Sequence, residues 1–186
     1  MPHVLFTYRK SREQSFLEEL LDEQRWFLRH GFHVPIPRDK KEIARELARD
    51  LRGHKRKVKS LALAWRKIER PFFERSKHLK NILVIPEYHS HSSRFGAEGQ
   101  YHPPSRIFIR LRKKADERFG VETIAHELVH LFIHEFAKRK RLGYREREGM
   151  VDSILLSKHF RDLFPRYRRQ KHGIIRPRLL ESIFRD

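Results

Sequence analysis

The chain contains no cysteine. Disulfides are thereby excluded, as are thiolate zinc knuckles, so any bound metal must be held by His, Asp or Glu. Long apolar runs are also missing. Nothing approaches the roughly 18 apolar residues needed to cross a bilayer, and the opening MPHVLFTYRK has no apolar signal-peptide region. No membrane partner is expected, and the cytoplasm is the expected compartment. Acidic residues are few relative to basic ones, 24 against 43 in 186 residues, which leaves a formal charge of +19 and a pI near 10.7. Such a field attracts polyanions non-specifically. Zinc-finger spacing, an RNP-type aromatic strand and a glycine-rich phosphate loop are all lacking, so charge alone names no function. The basic residues do cluster, at Arg52–Lys59, Lys138–Arg141 and Arg166–Lys171.

What is present begins with helical periodicity. Phe16, Leu17, Leu20, Leu21, Phe27 and Leu28 share one stripe over residues 12–30, which Gly31 and the run Val34-Pro-Ile-Pro37 stop. A second helical tract runs from Asp39 towards Arg70, with Gly53 as the expected break. The period then changes. Asn81-Ile-Leu-Val-Ile85 reads as a strand ended by Pro86, residues 86–105 as a loop, and Arg106-Ile-Phe-Ile-Arg-Leu111 as a half-buried strand. Helices open around Val121 and Glu146. This order predicts an α+β fold with helices on one side of a small sheet, preceded by an N-terminal helical region. The expected division is 1–74 for that helical region and 75–186 for a minimal catalytic domain.

The chemistry concentrates in Val121–Phe136, VETIAHELVHLFIHEF. His126 and His130 lie one turn apart on the same side of the helix, where two imidazoles can grip one Zn²⁺ at about 2.0–2.1 Å. Glu127 projects beside them without being a ligand. It is therefore the candidate general base and acid, taking a proton from an activated water and passing it to a leaving amine. His134 continues the spacing but sits about 12 Å along the axis from His126, too far for the same ion. The longer HExxHxxGxxH pattern fails at Ile133 and Phe136. Glu148, in Glu148-Gly-Met-Val-Asp152 on the following helix, fits as third ligand, and Asp152 one turn later fits as acceptor for the outer N–H of a ligand histidine. His89-Ser-His91 also has a metal-like spacing, on what reads as a polar loop.

HELVH followed by EGMVD resembles the gluzincin metallopeptidases, with HExxH and ExxxD on consecutive helices, and within them the compact minigluzincins. The segment Gly99–Leu111 before the motif helix is similar to a strand of SprT-like proteases. The resemblance covers roughly residues 75–170 and implies a small twisted sheet packed on an active-site helix and a glutamate helix. It implies a zinc metalloendopeptidase with ligands His126, His130 and Glu148, general base Glu127 and supporting Asp152, acting on peptide or protein substrates. It further implies that strand 106–111 forms the upper rim of the cleft, and that a downstream residue, His159 foremost or else Tyr167 or His172, stabilises the oxyanion. Val34–Pro37 or the loop 86–104 is a candidate cover over the cleft. The contrasting expectation is a basic nucleic-acid-binding protein whose HExxH is structural or degenerate.

Overall fold

A computed structural model describes residues 1–29, 33–111, 117–170, 173–175 and 177–184. The chain is an α+β fold, with seven helices and a small mixed sheet among the described residues. Strands β1 (His3–Thr7), β2 (Glu87–Ser93), β3 (Gly99–His102) and β4 (Arg106–Arg110) are ordered β1-β2-β4-β3. β1 and β4 run parallel to β2, and β3 runs antiparallel to β4, with Gly99 opposite Ile109 and His102 opposite Arg106.

The two sheet faces are covered by different helices. On β4, Ile107 and Ile109 point to one face and Phe108 to the other, as strand pleating requires. The Phe108 face receives α1 (Lys10–Asp22), α2 (Gln24–Arg29) and α3 (Lys40–Leu47), with Phe16 stacked on Phe108 at 4.3 Å. The other face receives α4 (Arg52–Ser76), α5 (Glu117–Arg139) and α6 (Tyr144–Leu155). Here Trp65, Phe72, Tyr88 and Phe132 form a continuous aromatic core. A short α7 (Pro177–Glu181) follows. Val4, from β1, and α4 therefore share one core with residues after position 75.

Several local readings are corrected. Asn81–Ile85 is not a strand: the Leu83 N–H donates to Phe132 O and the Ile85 N–H to the Tyr88 hydroxyl, so its backbone is taken up without a neighbouring strand. The segment 86–105 is not a loop but holds β2 and β3. β2, EYHSHSS, is polar in sequence yet buried, because small serines fit between two flanking strands and Glu13 of α1 satisfies His91 (2.7 Å) and Ser93 (2.8 Å). β1 falls in a segment with no predicted element. The break in the second helical tract lies between Leu47 and Arg52. Gly53 sits in the first turn of α4, where backbone N–H groups have no intrahelical partner in any case. α4 also continues past Arg70 through Pro71, drawn on by burial of Phe72 and Phe73.

Candidate metal centre

α5 reads as amphipathic over its motif but is buried almost all round between sheet, α4 and α6. A helix apolar on every side is an interior helix, and polar groups on it need partners. The turn Lys140–Gly143, with Arg141 at φ 51°, reverses the chain. Glu146 accepts from the Gly143 N–H at 2.8 Å, opening α6 antiparallel to α5. The four-residue spacing on each helix then brings His126 and His130 face to face with Glu148.

The donor atoms converge. His126 Nε2 lies 3.1 Å from Glu148 Oε2, His130 Nε2 lies 3.2 Å from Glu148 Oε1, and the two Nε2 atoms are 3.0 Å apart. All three side chains are buried, and one ligand atom from each falls within 4.8 Å of the others. The Tyr167 hydroxyl donates to Asp152 Oδ1 at 2.7 Å, and its oxygen lies 2.7 Å from His126 Nδ1, so that nitrogen is the donor. In the neutral ring, Nε2 is then a bare lone pair aimed at a carboxylate and a second imidazole. Two imidazole nitrogens and a carboxylate converging in a buried space form a group that a cation can bridge. The group His126, His130 and Glu148 can bind a metal ion, and the donor set of two imidazoles and a carboxylate suits a divalent transition metal.

The electrostatics agree with that fit. Burial pulls His130 down to about 4, against the opposing pull of Glu148, so the ring is neutral, the form that ligates. Burial would raise Glu148, but hydrogen bonds from His126 and His130 outweigh it and hold the carboxyl well below the usual range. His126 runs the other way: burial lowers it, and Glu148, Glu127 and Asp152 together raise it. Glu127 is 6 % exposed, and burial lifts its carboxyl to about 7, with the Glu148 charge adding to the rise.

The surroundings position these groups. The Tyr101 ring lies flat on His130, centroids 4.7 Å apart and 7° from parallel, and its hydroxyl accepts from Arg147 at 2.8 Å. Asp152, fully buried, reaches His126 through Tyr167, not directly as expected, and also accepts from the Gln170 N–H at 2.8 Å. The Gln170 side-chain amide approaches His126 Nε2 at 3.3 Å, on the side of the converging donors. Gly99 backs onto Glu127 so closely that a Cβ there would overlap the carboxylate. His126, Glu127, His130 and Glu148 open into a cavity of about 1560 Å³, bordered by β3, by His33 and Val34, and by the segment 165–170.

Other predicted positions lie elsewhere. His159 stacks between His78 (4.5 Å) and Phe184 (5.7 Å) and does not border the cavity, because α6 ends at Leu155 and the chain turns away. His172 lies outside the described residues. Tyr167 is at the site, with its hydroxyl engaged behind His126. His134 meets the edge of Tyr101 and pairs with Glu135. His89 pairs with Glu87 and His91 with Glu13, leaving no second cluster among the described residues. β4 is flanked on both sides and cannot form the rim. The edge strand at the cavity is β3. Of the stretch 86–104, residues 87–93 and 99–102 are strands of the sheet, while Ala97, Glu98 and β3 border the cavity, as does Val34, which also packs with Ile36 on the α1–α3 core. Tyr101 and Gln170 had no motif to reveal them.

No protein-family profile matches the chain, and neither curated proteins nor solved structures give a significant match. Among the described residues no helix is long and apolar enough to cross a membrane.

Proposed function

We propose that the protein is a zinc-dependent endopeptidase of gluzincin type. The observation that carries this reading is the convergence of His126, His130 and Glu148 with buried Glu127 beside them on an open cavity. Zn²⁺ held by the three ligands supplies Lewis-acid polarisation of the scissile carbonyl and acidifies the attacking water. An extended peptide pairs with the outer edge of β3, which has no strand partner among the described residues, and lies across the cavity. Glu127, lifted to about 7, takes the proton of the attacking water and returns it to the leaving nitrogen as the C–N bond breaks. A group titrating near neutrality serves both halves of that transfer. Asp152 and Tyr167 fix the ring of His126, and Tyr101 fixes that of His130. The Gln170 amide N–H donates to the carbonyl oxygen as charge develops on it.

The test is hydrolysis of denatured protein and of extended peptides by zinc-loaded wild type and Glu127→Gln. Cleavage by wild type, with unchanged zinc content and no cleavage in the variant, supports the proposal. Equal cleavage by both, or none by zinc-loaded wild type across the panel, rejects it.

A further inference from the structure

α4, the longest helix among the described residues, carries a surface that plays no part in the metal centre. Its core face is Val58, Leu61, Trp65 and Phe72. On the opposite side Arg52, Arg56, Lys59, Arg66 and Arg70 fall in one line, flanked by Lys55 and Lys67, all exposed. At 100° and 1.5 Å per residue these seven cations occupy an arc of about 120° and a length of about 27 Å. Ordinary solvated helices interleave charges of both signs at three- and four-residue spacing, where like charges repel. Here Arg52/Arg56, Lys55/Lys59 and Arg66/Arg70 are like-charged pairs four apart. Among the described residues the ion pairs on this line lie at its ends, Arg52 with Asp50 and Arg70 with Glu74, and Asp50 also attracts Lys55 and Arg56. Lys55, Arg56, Lys59, Arg66 and Lys67 have no ion pair among the described residues.

We infer that this face of α4 docks on the phosphate backbone of double-stranded DNA. A concentrated line of one sign is complementary to a polyanion, and 27 Å is most of one turn of B-form duplex, about 34 Å. Single strands are bound on stacking aromatics, and this face has none. Interfacial membrane helices pair their cations with a broad apolar face, whereas the sole exposed apolar side chain along this line is Leu63. The A-form duplex of RNA presents a major groove too narrow for such a helix, whereas the B-form groove, about 12 Å wide, admits one. The surface lies apart from the ligand set and is independent of the peptidase proposal.

The experiment is fluorescence anisotropy of the full chain with a labelled 20-base-pair DNA duplex across a salt series. It is repeated for a variant carrying Lys55→Gln, Arg56→Gln, Lys59→Gln, Arg66→Gln and Lys67→Gln. These side chains are exposed, so circular dichroism and the melting temperature should match wild type. Removing five phosphate contacts should reduce the slope of log K against log salt by about 4.5 and weaken binding at low salt by more than 100-fold. A control with Lys138, Arg139, Lys140 and Arg141 all changed to Gln should change binding by less than tenfold. Unchanged duplex binding in the α4 variant overturns the inference, as does an equal loss in the control. Tighter binding to single strands, to RNA duplex or to phosphatidylserine vesicles than to the DNA duplex overturns it as well.

Discussion

Glu127 offers a prediction that needs no assay of hydrolysis. Its carboxyl titrates at about 7 in the metal-free fold against an ordinary 4.5, and burial is the main cause. A rise of that size, at about 1.4 kcal/mol per pH unit, corresponds to about 3 kcal/mol. The group is buried, so solvent screening removes little of this. Below about pH 4.5 the carboxyl is protonated in both folded and unfolded chains and costs nothing. Between 4.5 and 7 the unfolded chain releases the proton while the folded chain keeps it, so stability falls with rising pH, and the loss is complete above 7. The amide introduced by Glu127→Gln cannot ionise. His130, held down at about 4, contributes the opposite slope between about 4 and 6.5, so the difference between the two proteins is the quantity to follow. In urea unfolding with a chelator present, the proteins should be equally stable at pH 4.5, and the variant should be more stable by about 3 kcal/mol at pH 8. Parallel curves, or a wild type that gains on the variant as pH rises, would refute the burial argument.

Gly99→Ala forces a methyl to 2.7 Å from Glu127 Cγ and Thr123 Cγ2, so it should cost about 1–3 kcal/mol in denaturant unfolding and lower kcat about 100-fold with zinc retained. Tyr167→Phe cuts the link from His126 Nδ1 to Asp152 and should weaken zinc affinity about 10- to 100-fold in chelator competition. Asp152→Asn, whose amide oxygen can still accept from Tyr167, should lose less. Gln170→Ala should lower kcat about 100-fold at unchanged zinc affinity, because the donor acts on charge that appears only during reaction.

The parts of the fold legible in the sequence are those whose signal is local. HELVH sets two imidazoles by helical spacing alone, and Glu148 follows on the next helix after a short turn, so the grouping of His126, His130 and Glu148 could be read without knowing the sheet. The order of strands and helices likewise predicted the α+β class. Strand identities were harder. β2 has the composition of a loop because its environment, two flanking strands and the buried Glu13, is supplied by distant segments. Asn81–Ile85 has the composition of a strand, and Ile82, Val84 and Ile85 pack on the core instead, with Leu83 exposed. Tyr167, a candidate oxyanion group by sequence, lies behind His126, and His159, at helical distance from Glu148, turns away with the end of α6. Neither outcome has a period or a spacing. Both depend on where the irregular segment after Leu155 returns to the molecule.

Metal content tests the central claim most directly. Inductively coupled plasma mass spectrometry on the full chain, purified in zinc and dialysed, should give one zinc per chain for wild type and Glu127→Gln, and nearly none for His130→Ala and Glu148→Ala. Zinc-free wild type that takes up no zinc on titration, or Glu148→Ala that retains a full equivalent, would contradict the ligand set.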